Sequence, residues 1–386
     1  MKSQQPPRSA DAVVIGAGVV GAATALSLTR SGLKVVVVDR GSVASGTTGA
    51  GEGNILVSDK EPGAELTLAL RSRDLWFEIA SEIGNDFELE AKGGVVVARK
   101  DSTPLFNFAR KQEQAGVQVE FADHNRLHEL EPHLARPIEN GVFYPQDAQC
   151  QPMLAAAHML RAVRARGGSI VDRAEVIEIM SKDGRVTSIV TSRGKIDYPI
   201  VVNATGTWAG EVAALAGSHI PVMPRRGFIL VTEKVPQLIF HKVYDSDYVD
   251  NVASGDADLQ TSTVVEGTQA GTILIGASRE RIGFDTTMNI QILRKLADQA
   301  TTLFPVLRDI QLLRAYRGFR PYAPDHLPIV GEDAKVQGLW HSAGHEGAGI
   351  GLAPGSAQLL SDLIMGRSSF MDATPFSPRR FQEVVA

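Results

Sequence analysis

Gly16, Gly18 and Gly21 stand at G-x-G-x-x-G spacing directly after the apolar run Ala12–Ile15, and Asp39 closes a second apolar run, Val35–Val38. That spacing suits a pyrophosphate. The first glycine permits a tight turn, the second admits backbone amides close to phosphate, and the third lets helix pack on strand. Val19 and Val20 open the intervening helix, whose N-terminal N–H groups and positive dipole end attract an anion. Asp39 can accept both hydroxyls of a ribose. This is adenine-dinucleotide chemistry, and within this stretch alone NAD, NADP and FAD are equivalent. Arg40 could meet a 2′-phosphate, which keeps an NADP-linked dehydrogenase open.

Three further glycine-rich stretches follow. Gly41 to Ile55 carries five glycines and four Ser or Thr hydroxyls, a composition that suits either a cofactor-wrapping loop or a plain surface loop. The apolar strand Tyr198–Ala204 runs into ATGTWAG, and the strand Gly338–Ser342 runs into AGHEGAGIGLAPGS and a helix to about Met365, capped by Gly366. The single cysteine, Cys150, precludes an intrachain disulfide and a Cys-ligated iron–sulfur or structural zinc site. It reads as a small packed thiol, since no base is placed to activate it.

The elements that must position these groups are legible in outline. The first helix presents Ala22, Ala23, Leu26 and Leu28 to a sheet and ends near Gly32. Helices are expected over Glu65–Ile83, Phe106–Gln114, from Pro152 to about Arg166, and over Ile290–Leu303, with strands at Gly93–Arg99 and Val117–Phe121. Gly168–Ile179 and Arg185–Thr191 read as a hairpin closed by Lys182, Asp183 and Gly184. The block from about Pro221 to Arg314 is rich in strands, including Gly227–Thr232 and Thr272–Ser278, and reads as a second, mainly antiparallel unit.

At 386 residues, 44% hydrophobic and 22% charged, the chain has the composition of a soluble globular protein of two packed domains. A net charge of -5 argues against nucleic-acid or anionic-membrane partners. Its cysteine usage points to the cytoplasm, and the apolar Ala12–Leu28 stretch is better explained as a buried βα unit than as a signal peptide or membrane span.

The four motifs GAGVVG, GTTGAGEGN, NATGTWAG and GHEGAGIGLAPG, with GFRPYAPDHLPIVG before the last, resemble the D-amino-acid oxidase superfamily of FAD-dependent oxidoreductases over essentially the whole chain. The C-terminal wording is most similar to the FAD-bearing β subunits of opine dehydrogenase, D-hydroxyproline dehydrogenase and hydrogen cyanide synthase. The resemblance implies an α/β plus α+β architecture, with a Rossmann-like FAD-binding domain and a mainly antiparallel substrate domain. The expected division is residues 1–90, 141–220 and 321–386 for FAD, and residues 91–140 and 221–320 for substrate.

It further implies non-covalent FAD held by Gly16, Gly18, Val19, Val20 and Gly21, by Asp39 and Arg40, and by Ser45, Thr47, Thr48, Gly51 and Gly53. Val176, Thr205, Gly206 and Trp208 line the channel further on. Gly344, Gly347, Ala348, Gly349, Ile350 and Gly351 approach the flavin, where a helix N-terminus favours the negative charge of the reduced ring. Arg320 takes the position of the family's carboxylate clamp, a role suited to the two parallel donors of a guanidinium. Tyr248, with Tyr244 and Tyr322, and His345 and Glu346 are candidate substrate contacts. The tyrosine of glycine oxidases is missing from Ser262–Val265, the flavin-linking cysteine of sarcosine oxidases from Tyr316–Tyr322, and their oxygen-activating lysine from Thr272–Asp285. The missing cysteine implies non-covalent FAD, and the missing lysine favours a dehydrogenase that passes electrons to an external acceptor or partner subunit over an oxidase; a flavin-holding subunit inactive without partners is the alternative.

Overall fold

The computed structural model describes residues 6–247 and 258–381. Two large sheets organise them. The first has six strands in the order Ile329–Glu332, Leu339–Ala343, Ile200–Asn203, Ala12–Ile15, Val35–Val38 and Ser169–Val171. All neighbouring pairs are parallel except the first. Every residue of Ala12–Ile15 and Val35–Val38 is buried, as strands covered on both faces require.

The second sheet has eight strands in the order Leu312–Tyr322, Met223–Thr232, Ile273–Arg279, Gln260–Gly267, Lys242–Asp245, Gly94–Ala98, Asn140–Tyr144 and Glu120–Asp123. Only Lys242–Asp245 and Gly94–Ala98 run parallel. The Ile290–Leu303 helix packs against this sheet through Ile292, Leu296, Ala300 and Leu303, and Asn289 caps it by accepting from the N–H groups of Gln291 and Ile292.

The cover of the six-stranded sheet explains how a helix interrupted by proline reaches the cavity. Val19–Arg30 packs against both Gly349–Ile364 and Pro152–Ala165, and Ala64–Ile83 packs against Gly349–Ile364. Pro354 lies inside Gly349–Ile364 and has no N–H to give the Ile350 carbonyl. The Trp76 indole N–H donates to that carbonyl instead, at 3.0 Å. One residue on, the Ser72 hydroxyl donates to Gly351 O at 2.6 Å and accepts from Gly355 N at 2.9 Å. The neighbouring helix thus satisfies the groups that proline releases.

Two local expectations are corrected. Gly168–Ile179 is not one hairpin arm: Ser169–Val171 joins the six-stranded sheet, Arg173 adopts a left-handed φ of 52°, and only Val176–Lys182 pairs with Arg185–Thr191. The turn itself is as expected, with Asp183 and Gly184 both at positive φ. The strand expected at Val117–Phe121 lies at Glu120–Asp123, where pairing with Asn140–Tyr144 fixes it.

Candidate active site

A cavity of about 440 Å³ runs from the glycine turn of the first strand to the edge of the eight-stranded sheet. Its near end is mostly backbone. Gly16, Gly18, Val19 and Val20 line it, and the first helix has no acidic residue in its first turn to repel an anion. Gly21 lies outside the lining because it packs: a Cβ there would stand 1.9 Å from Gly16 O. Asp39 lines the wall with both oxygens engaged, accepting from Ala17 N and Gly41 N at 2.7 Å each. Its carboxylate therefore also ties the glycine turn to the second strand. Arg40 lies over the Trp208 ring at 4.1 Å, and Val176, Glu211 and Leu215 complete this end.

The middle is a belt of hydroxyls and small residues, Ser45, Thr47, Thr48, Gly51, Thr205 and Gly206. Thr48 Oγ1 accepts from Val19 N at 3.0 Å, so it caps the first helix as well as facing the cavity. Thr47 and Thr207 both donate to Phe319 O, at 2.9 and 2.7 Å. Those two bonds pin the Leu312–Tyr322 strand to the loops that carry Thr47 and Thr207 and so set the depth of Arg320. In the wall, Ser342 Oγ is buried without a hydrogen-bond partner among the described residues. An elongated cavity with a helix N-terminus, a carboxylate in its wall and an unsatisfied hydroxyl fits a bound dinucleotide.

At the far end stand Arg320, His345, Glu346, Gly347, Gly349 and Ile350, together with Glu52 and Asn54. Arg320 Nη1 donates to Ser278 O at 2.8 Å. Gly227 makes room for it, since a Cβ there would meet Arg320 Nη1 at 2.2 Å. Opposite Arg320 in register is Arg225, which is buried and donates to Glu346 at 3.2 Å and Gln260 at 3.1 Å. Glu346 therefore lines the cavity with Oε2 paired to Arg225 and Oε1 2.9 Å from His326 Nδ1. Nε2 of His345 lies 2.9 Å from Ser356 Oγ, and burial lowers its pKa to about 4, so this ring is neutral at pH 7.

The remaining expected residues lie elsewhere. Gly53 packs on the Cys150 backbone and Gly344 between Ile329 and Ala323, while Ala348 and Gly351 face a small neighbouring recess. Tyr248 lies outside the described residues. Tyr244 is buried away from the cavity with its hydroxyl on Ser58, and Tyr322 has Arg225 and Arg281 over its ring at 5.5 and 4.8 Å. Burial pushes the Cys150 thiol pKa far up, which makes it inert. Glu52, Asn54 and Arg225 are the polar groups that sequence reasoning missed; the first two lie inside a loop whose glycines drew the attention.

The sequence model for FAD dependent oxidoreductases, DAO, matches residues 11–363. The chain belongs to this family. Glycine oxidase of Pseudomonas aeruginosa is 30% identical to it over 375 residues, covering 95% of this chain and 98% of that protein. Hydrogen cyanide synthase subunit HcnC of the same organism is 28% identical over 420 residues, covering 97% of each. Among solved structures, glycine oxidase from Geobacillus kaustophilus superposes with a TM-score of 0.88 at 25% identity, over 97% of this chain and 99% of that one. L-proline dehydrogenase from P. horikoshii shares the fold, with a TM-score of 0.89 at 24% identity over 98% and 99% of the two chains. This family member is thus an FAD-dependent enzyme that oxidises amino-acid-like substrates at a C–N bond. Among the described residues no helix is long and apolar enough to cross a membrane, and no group of three or more His, Cys, Asp or Glu could hold a metal.

Proposed function

We propose that this protein is an amino-acid dehydrogenase of the cytoplasm. It oxidises the carbon beside nitrogen in an amino acid or N-substituted amino acid and gives an imine that hydrolyses to an oxo acid and an amine. FAD, held non-covalently, supplies the two-electron acceptor. The candidate substrates are a D-amino acid, hydroxyproline, glycine, sarcosine or an opine.

Arg320 is the observation that carries this assignment. Its guanidinium lies at the opposite end of the cavity from the glycine turn, fixed by Ser278 O and spared by Gly227. A carboxylate held bidentately there has one orientation, which fixes where the neighbouring Cα–H points. Neutral His345 adds a hydrogen-bonding wall without a competing charge. Glu346, paired with Arg225, neutralises that second guanidinium, which leaves Arg320 to read the carboxylate at this end.

The similarity to a protein named as a synthase subunit supports a second reading, in which a partner subunit carries electrons onward. Anaerobic bleaching of the flavin by an amino-acid panel, using the isolated chain, separates the two. Bleaching by one class of amino acid identifies a competent catalyst. Bleaching only after a partner is added supports the subunit reading, and protein that acquires no yellow absorbance after reconstitution with FAD overturns both.

A further inference from the structure

Glu52 lines the far end of the cavity, and its side chain is only 6% exposed. One carboxylate oxygen is anchored: Oε2 accepts from Asn54 Nδ2 at 2.8 Å and lies 3.6 Å from Lys242 Nζ. Lys242 is in turn 3.0 Å from Glu266 Oε2, so the anchor belongs to a buried charge network. The other oxygen, Oε1, is buried and accepts no hydrogen bond among the described residues. A buried carboxylate oxygen without a donor is costly, and a native structure that keeps one has a use for it.

Its position gives that use. Gly276 leaves space for Glu52 as Gly227 does for Arg320: a Cβ on Gly276 would stand 2.3 Å from Glu52 Oε1 and 3.0 Å from Ile229 Cδ1. Gly227 and Ile229 are two residues apart on one strand and share a face, a separation of about 7 Å. The guanidinium over Gly227 and the carboxylate over Gly276, beside Ile229, therefore flank one segment of the cavity wall.

We propose that Glu52 receives the substrate's amine proton. The assignment rests on the amino-acid reading above. With the carboxylate on Arg320, the ammonium meets Oε1; its N–H bond breaks, an O–H bond forms on Glu52, and the nitrogen keeps its electron pair as a neutral amine. Both partners change from charged to neutral, and no oxidation occurs in this step. Around a carboxylate as buried as this one that exchange is favoured, because it removes two charges from a poorly solvated site. Asn54 and Lys242 hold Oε2, so the proton has one place to go.

Glu52→Gln tests this in the FAD-loaded protein, with the amino acid that bleaches the flavin fastest. In the native protein the bleaching rate at saturation is expected to be nearly flat from pH 6 to 10. In E52Q only substrate that is already deprotonated reacts, so the rate falls about 100-fold at neutral pH and recovers as pH rises through the amine's own pKa. A readout independent of turnover is affinity for that amino acid against the same acid with hydrogen in place of the amino group. E52Q should lose its preference for the amino form and bind the deaminated acid as the native protein does. E52D keeps the charge beside Lys242 and, should E52Q fail to fold, is expected to show an intermediate shift of the same pH profile. Parallel pH profiles with an unchanged amine preference overturn the proposal. A native protein that neither bleaches with nor binds any amino acid overturns the amino-acid reading itself.

Discussion

The two ends of the cavity are built from different materials. The dinucleotide end is made of backbone: Gly16, Gly18 and the first helix's N–H groups face the cavity, and even Asp39 is tied to main-chain amides. The end proposed for substrate carries long side chains from separate strands and loops, Arg320, Glu346 and Glu52, with Arg225 paired to Glu346, and each is fixed by a partner distant in sequence. A pyrophosphate is the same in every FAD, so a rigid cradle of amides suffices. A substrate differs from one enzyme to the next, and side chains can change without disturbing the sheet.

If the ends are separable, each should break alone. The largest effect is expected from Arg320→Ala. Removing one partner of a buried charge pair costs about 4 kcal/mol, a loss of ~1000-fold in affinity for carboxylate ligands. FAD should stay bound, with its absorbance spectrum retained; loss of the flavin would show that the two ends are one unit. The next largest belongs to the other end. Gly21→Ala places a Cβ against Gly16 O, and overpacking of this kind costs about 3 kcal/mol. The variant should purify with less flavin and unfold at lower denaturant, while the fraction that keeps flavin binds carboxylates normally.

A third, smaller effect depends on pH. His345 has a folded-state pKa of about 4 because burial disfavours its charged form. The unfolded chain takes up that proton below about pH 6.5. The stability His345 contributes is therefore complete above that pH and is lost as pH falls toward the folded value. Relative to His345→Asn, the native protein should lose about 2 kcal/mol of unfolding free energy between pH 7.5 and pH 5. Urea titrations at both pH values measure this, and parallel behaviour of the two proteins would place the ring in a wetter setting.

The same contrast explains what could be read from the chain. The near end was legible because its information is local: glycine spacing, a helix start and a carboxylate lie within Asp11–Arg40. Ile290–Leu303 was legible for the same reason, since its buried positions recur at helical spacing and Asn289 caps it. Arg320 could be placed only through family resemblance. Its partnership with Ser278, the register that sets Arg225 opposite it, and the meeting of Glu52 with Lys242 depend on strand pairings that no local pattern encodes. Gly168–Ile179 shows the limit within secondary structure. Its apolar positions permit a strand throughout, and only the docking of Ser169–Val171 beside Val35–Val38 decides where the break falls.

The smallest predicted effect sharpens the contrast most, because it concerns a long charged side chain that helps build the dinucleotide end. Arg40 lies 4.1 Å over the Trp208 ring, and Trp208 is itself stacked on Phe284 at 5.6 Å with 5° between the planes. A guanidinium engaged on an aromatic face acts as a lid on a flat ring system more readily than as a phosphate clamp. An exposed cation–π pair is worth about 0.5–1 kcal/mol, so Arg40→Ala should weaken FAD by no more than about fivefold. Fluorescence titration of the apoprotein with FAD measures that change. Carboxylate affinity in the reconstituted variant should equal that of the native protein; if it falls as well, the Trp208–Phe284 stack transmits strain to Phe319 and Arg320, and the two ends are coupled through that edge of the sheet.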